Sequence, residues 1–338
     1  MYDAVPFAAL GSMAFLAAGF ASVGLSYAFI KIGWRFGILH HPGPGRLHNT
    51  PVVRLGGMAI LPAALFALLV TSENPHQLFG ISVCAVAIAG VGLADDVFDI
   101  PPLAKLAGQC MVAIAAVIFG VQILAVSNPL GGVIELGFWL GAVVSVIWLV
   151  GMMNAINLLD GLDGLAPGVV LVAALIMALL SAQLGNPALV LFGLALAGAV
   201  AGFLPFNAYK AKLILGDSGS NLLGFMIGAL AVLGQAKIGT ALLVLGIPIL
   251  DVAWTIVRRQ RSGRGITSRD TEHLHHRLID AGLTRPQVSA VYVLLCAAFG
   301  ASALLLDRAE KLIALAALSV LTTGLLFVSY KRSPNNRR

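Results

Sequence analysis

The sequence predicts an all-α polytopic membrane protein with about eleven transmembrane helices, forming one integral membrane domain over residues 1–338. Three observations predict it. The chain is 59% hydrophobic and 11% charged, far below the ~25% charged residues of a soluble domain. Its apolar residues fall in runs close to the ~20 needed to cross the hydrocarbon core. Its cations are sorted to one side of those runs, as the positive-inside rule requires.

Taken in order, the apolar segments are 6–32, 55–71, 78–94, 106–126, 137–153, 165–184, 188–205, 218–233, 239–257, 287–306 and 312–330. The first is too long for a secretory signal, and Asp3 stands where such a signal carries cations, so it is read as a span. An odd count puts the termini on opposite sides, and a cytoplasmic C-terminus puts the N-terminus outside. All of the 21 Lys and Arg residues except Lys237, Arg308 and Lys311 then fall on the cytoplasmic side. Among the outer loops, 121–137 carries two short apolar stretches around S-N-P-L-G-G and predicts a small β-hairpin. Cys84, Cys110 and Cys296 lie singly in apolar runs and read as packing residues, not as a metal site or disulfides. A net charge of +6 would suggest nucleic acid in a soluble chain. Here it is assigned to loops facing anionic lipid and anionic substrates, with no nucleic acid partner.

The polar residues inside and beside these segments gather at cytoplasmic ends. Residues 154–166 read N-A-I-N-L-L-D-G-L-D-G-L-A, with Asn154, Asn157, Asp160 and Asp163 at three-residue spacing on one side of a helical turn. Gly161 and Gly164 interrupt the helix there. Asp95 and Asp96 are adjacent carboxylates that repel, so they call for a proton or a neighbouring cation. Lys105, after Pro101 and Pro102, supplies a cation at the start of the next helix, a position suited to a phosphate. Asp99 fits a turn residue ahead of the prolines. Asp217, in L-G-D-S-G-S-N, starts a helix and suits an oxygen ligand for Mg²⁺, which prefers one or two carboxylates with waters and phosphate oxygens.

The long loop 258–285 carries seven arginines, among them Arg264 and Arg277, with His273, His275 and His276. Without Cys or a second His pair, these histidines suit diphosphate contact better than a zinc site. Asp251, within the preceding span, faces the bundle interior or neutralises one of these arginines. The first cytoplasmic loop contributes Arg54, just before Gly56 and Gly57. A transporter or flippase of a lipid-linked sugar is the alternative reading. Transporters, however, bury ionisable groups near the bilayer midplane, and these groups sit at one interface.

In this order, R-L-G-G, D-D-V-F-D-I-P-P-L-A-K-L-A-G-Q, N-A-I-N-L-L-D-G-L-D-G-L-A, G-D-S-G-S and H-L-H-H-R-L resemble the polyprenyl-phosphate N-acetylhexosamine-1-phosphate transferases over nearly the whole chain. The H-x-H-H pattern looks like the branch that initiates O-antigen, enterobacterial common antigen or wall teichoic acid. The resemblance implies transfer of an N-acetylhexosamine 1-phosphate, GlcNAc 1-phosphate by default, from a UDP-sugar to undecaprenyl phosphate, with release of UMP. It implies Mg²⁺, with Mn²⁺ as a substitute, held by Asp217 and Asn157. It implies that Asp95 positions or deprotonates the lipid phosphate, with Asp96 supporting it. It places Lys105 on phosphate, and Asn154, Asp160 and Asp163 around the nucleotide and metal. His273, His275, His276 and Arg277 fall to the diphosphate and sugar, and Arg54 and Arg264 are counted with the substrate-binding residues. A multi-pass protein of the bacterial inner membrane, with a cytoplasmic-face site, follows from the resemblance, which also admits a homodimer. One departure is Ile214, where the peptidoglycan branch carries an aromatic that stacks on uracil.

Overall fold

A computed structural model of the chain describes residues 7–40, 50–71, 75–128, 132–234, 238–261 and 274–332. It is a helical bundle. The helices are α1 (Phe7–Phe36), α2 (Gly56–Thr71), α3 (Pro75–Phe98), α4 (Pro102–Ile118), α5 (Gly137–Leu159), α6 (Leu165–Gln183) and α7 (Pro187–Asn207). They continue with α8 (Gly216–Leu233), α9 (Ile238–Val244), α10 (Gly246–Arg261), α11 (Leu274–Asp280), α12 (Arg285–Leu305) and α13 (Arg308–Arg332). Among the described residues, seven helices are long and apolar enough to cross a membrane: α1, α3, α5, α6, α7, α8 and α12. Helices α2 and α4 are apolar but shorter.

Helix α8 is the axis of the bundle, with 89% of its residues buried. Helices α2, α3 and α5 pack directly on it. Small residues permit this closeness, because in an apolar solvent helix association rests on tight packing more than on solvent exclusion. A Cβ on Gly92 of α3 would lie 2.5 Å from the Cα of Ser218, and one on Gly224 would lie 2.5 Å from the Cα of Met153 on α5. Gly57 of α2 likewise abuts the backbone of Ser218 and Gly219.

The structure departs from the expected segments in two places. The segment 239–257 is broken at Leu245 into α9 and α10. Pro248 lacks the N–H that would bond the Val244 carbonyl, so the helix cannot continue smoothly. Helix α4 starts at Pro102 and stops at Ile118, not Val126, because Gly120 takes a left-handed turn (φ 89°) and releases the chain into the expected hairpin. In that hairpin, β3 (Ala125–Ser127) pairs antiparallel with β4 (Val133–Glu135).

A second, three-stranded sheet was not anticipated. Here β1 (Leu39–His40) runs antiparallel to β2 (Val52–Arg54), which pairs in parallel with β5 (Leu213–Ile214). The register sets Arg54 opposite Ile214, two residues before α8 begins. Gly57 N–H also donates to the Leu215 carbonyl at 3.2 Å. This ladder carries the first loop to the N-terminus of the central helix.

Candidate active site

The site is built where four helix ends meet: the C-termini of α3 and α5, and the N-termini of α4 and α8. Gly216 turns the chain into α8 with φ 72°. A Cβ there would lie 2.7 Å from Asp96 Oδ2, so left-handed backbone and crowding both call for glycine. Asp96 accepts from the backbone N–H of Asp217 at 2.7 Å and of Ser218 at 3.0 Å. It therefore caps α8 from a neighbouring helix, satisfying two of the free donors at that terminus and complementing its dipole. Arg54 Nε pairs with the same carboxylate at 2.8 Å.

Asp217 is the hub. Its Oδ2 pairs with Arg54 Nη2, and its Oδ1 with Lys105 Nζ. Asn157 Nδ2 donates to Asp217 Oδ1 at 2.6 Å and to Ser220 Oγ at 2.8 Å. Lys105 Nζ reaches Asp95 Oδ2 at 3.0 Å and donates to Asn157 Oδ1 at 3.4 Å. One ammonium thus lies among three oxygens, two from carboxylates and one from an amide. An all-oxygen donor set containing two carboxylates is one that Mg²⁺ accepts. Sulfur and imidazole, which favour softer metals, are absent from that set. Among the described residues no three His, Cys, Asp or Glu side chains form a metal-holding group of their own. The oxygens that fit the ion therefore include an amide and leave places for ligand oxygens.

The remaining expected residues divide. Helix α5 ends at Leu159, so Asp160 is its C-cap. Burial holds the Asp160 carboxyl well above the usual carboxylate range; the Asp217 charge adds to this, and Arg54 opposes it. Asp163 corrects the expectation of four side chains on one helical face. Beyond the helix end, its Oδ2 accepts from the backbone N–H of Lys210 and Ala211, both at 3.1 Å. It braces the 208–212 turn, where Lys210 has φ 66°. Asn154 turns to Gln109 Oε1 and the Val150 carbonyl, both at 2.8 Å. Asp96 is enclosed, with no exposed side-chain surface. The structure gives it a clamp's place instead of the open position of a reacting group. Asp99 takes φ 51°, a turn geometry, as its place before the prolines suggested.

The histidine motif arrives on α11. His275 and Arg277 are buried, and the rings of His275 and His276 stack obliquely at 4.3 Å. A Cβ on Gly161 would lie 2.6 Å from His275 Nε2, so this motif sits against the loop carrying Asp160. Asp251 of α10 faces inward and accepts from Leu274 N–H at 3.0 Å, holding α11 in place. Arg264 and His273 lie outside the described residues. Gln109 and Asn221 were missed. Each is a buried amide in an apolar helix, and that expense is itself a signal.

A cluster of alternating carboxylates and cations at the end of an apolar bundle, with an oxygen donor set of the kind Mg²⁺ accepts, points to a membrane enzyme that handles phosphates. Comparison with known proteins says which kind. Residues 78–235 match the model of glycosyl transferase family 4, a stretch that runs from α3 through α8 and includes Asp95, Lys105, Asn157 and Asp217. The chain is 35% identical over 329 residues to a decaprenyl-phosphate N-acetylglucosaminephosphotransferase of Mycolicibacterium smegmatis, covering 83% of this chain and 81% of that protein. It is 34% identical over 239 residues to an undecaprenyl-phosphate α-N-acetylglucosaminyl 1-phosphate transferase of Thermotoga maritima, covering 70% and 72%. The Escherichia coli K12 protein of the latter name is 28% identical over 288 residues, covering 80% and 77%. The chain belongs to glycosyl transferase family 4, in its polyprenyl-phosphate N-acetylhexosamine-1-phosphate transferase group.

Proposed function

We propose that this protein transfers N-acetylglucosamine 1-phosphate from UDP-N-acetylglucosamine to undecaprenyl phosphate, releasing UMP. The observation that carries the reading is the Asp95–Lys105–Asp217–Arg54 chain of alternating charge at the ends of α3, α4 and α8. The names of the relatives support the polyprenyl phosphate acceptor and the N-acetylglucosamine phosphate group. The sorting of cations supports eleven crossings, an outer N-terminus and a site on the cytoplasmic face of the inner membrane. A homodimer is part of the same proposal.

An oxygen of the lipid phosphate forms a bond to the sugar-bearing phosphorus of the UDP-sugar. The bond from that phosphorus to the bridging oxygen breaks, and its electron pair leaves with UMP. The nucleophile is already an anion, so the work of the site is to align two phosphates and offset their charge. Asp217 and Asn157, with Asp95 nearby, would hold Mg²⁺, which supplies Lewis-acid neutralisation of the diphosphate. Lys105 offers its ammonium at the same place and moves from carboxylate to phosphate when substrates arrive. Arg54, held by the enclosed Asp96, presents a fixed cation beside it. Asp95 orients the lipid phosphate through Lys105. His275, His276 and Arg277 close the side facing Asp160. Direct displacement is proposed over a phospho-sugar on Asp95.

Incubating purified protein with a panel of UDP-sugars and undecaprenyl phosphate, then weighing the lipid product by mass spectrometry, tests the assignment. A product heavier by one N-acetylhexosamine phosphate, formed with UMP, is expected. Movement of intact lipid-linked sugar across vesicles without UMP release would instead favour a flippase.

A further inference from the structure

Directly beneath the charged cluster lies a second layer of polar side chains. Asn154 Nδ2 donates to Gln109 Oε1 at 2.8 Å, and Gln109 Nε2 donates to Asn221 Oδ1 at 2.6 Å. Asn221 Nδ2 donates to the carbonyl of Asp217 at 2.7 Å. Gln109 is 1% exposed and Asn221 is 0% exposed. Each member sits one turn deeper than a residue of the site. Gln109 follows Lys105 by four positions on α4, Asn221 follows Asp217 by four on α8, and Asn154 precedes Asn157 by three on α5.

We infer that Gln109 and Asn221 are positioning residues for the transfer reaction. They form an amide ladder that locks α4, α5 and α8 at the axial height where Lys105, Asn157 and Asp217 meet. The inference rests on the functional reading above. Its physical basis is that an amide buried among apolar side chains must keep its partners. Sliding any one helix by a single residue, ~1.5 Å, would break the chain of donors and acceptors. The direction of the bonds is also determined. The Asp217 carbonyl accepts only, so Asn221 must turn its Nδ2 there and its Oδ1 to Gln109. Gln109 then offers Oε1 to Asn154. Packing alone tolerates small slides of apolar surfaces past one another; this ladder does not.

The test is UMP release by purified Gln109→Leu, Asn221→Leu and the double variant, with melting temperatures recorded alongside. Gln109→Leu is expected to lower kcat by tenfold or more, as ~1 Å misplacement of reacting groups does, with KM for UDP-N-acetylglucosamine within about threefold. The double variant should fall no further than the worse single one, because both cut the same chain. Gln122→Leu removes an amide of equal size, bonded to the Phe138 carbonyl, and should leave the rate unchanged. Should Gln109→Leu fail to fold, Asn154→Ala, at the half-buried end of the ladder, should still lower kcat at unchanged KM. A kcat within twofold of wild type in a folded Gln109→Leu or Asn154→Ala protein, or single effects that multiply in the double variant, overturns the inference. If the wild type itself releases no UMP, the functional reading fails. The melting-temperature rise on adding Mg²⁺ then decides the ladder: its loss in Gln109→Leu supports the alignment, and an unchanged rise refutes it.

Discussion

Replacing Lys105 with Met removes the one ammonium that Asp95, Asp217 and Asn157 share. The side chain is 15% exposed, and its partners Asp95 and Asp217 are 11% and 13% exposed. At the 3.0 Å separation from Asp95, a unit pair attracts by about 5–6 kcal/mol at an effective dielectric of ~20. In the reaction the same ammonium faces phosphate oxygens, and partial solvation leaves about half of that, ~3 kcal/mol, acting on the transition state. That is roughly a hundredfold in rate. Met keeps the length and the apolar stem, so helix α4 should remain seated and the melting temperature serves as the check. The assay is UMP release at saturating substrates in detergent. Lys105→Met should fall about a hundredfold, and Lys105→Arg should fall between the two, since a planar fork cannot replace a compact ammonium among three oxygens. Turnover by Lys105→Met within about threefold of wild type would refute the electrostatic reasoning.

Three further outcomes follow from the geometry. Asp99→Gly should leave turnover within about twofold and raise the melting temperature slightly, because Asp99 holds a positive φ that glycine adopts without strain; Asp95→Asn should cost at least tenfold more in rate. Gly161→Ala should lower turnover without unfolding the bundle, since the added methyl meets the His275 ring and displaces α11; normal kinetics would separate the histidine motif from the reaction. The third concerns pH. The folded Asp160 carboxyl titrates above its unfolded value, chiefly through burial. Between the two values the folded state keeps a proton that the unfolded state releases, so stability is lost as pH rises through that window. In EDTA, Asp160→Asn should therefore melt higher than wild type at mildly alkaline pH, and the gap should shrink towards acid. A gap that does not change with pH would contradict it.

Much of the architecture is legible in the chain because its physics is local. Apolar runs bounded by charge mark helices, and ten of the eleven expected segments each coincide with one, the segment 239–257 being split between α9 and α10. The hairpin between α4 and α5 is visible as two short apolar stretches around Asn128 and Pro129. The pairing of Lys105 with Asp95 follows from residue types at the ends of neighbouring helices. What the chain conceals is set by tertiary placement. Strands of two or three residues, such as β2 and β5, carry no period to detect, and their partners are some 160 positions apart. Three-residue spacing suggested that Asp160 and Asp163 share a face with Asn157. The helix stops at Leu159, and Asp163 turns to the 208–212 backbone instead. In the sequence Asp96 reads as a support to its neighbour Asp95. Only the approach of α8 shows that its oxygens are taken by backbone donors. Gln109 was within reach of sequence reasoning, as a large amide in the middle of an apolar helix, yet its partners lie on two other helices.

Asp217 joins every part of the proposed site, contacting Arg54, Lys105 and Asn157 directly and Asp96 through its backbone N–H. The most direct test compares UMP release from UDP-N-acetylglucosamine by wild-type and Asp217→Ala protein, each with and without undecaprenyl phosphate and Mg²⁺. The account predicts release by the wild type only when both lipid and metal are present, and none above background from Asp217→Ala. Near-normal release by Asp217→Ala, or release by the wild type that ignores the lipid, would contradict it.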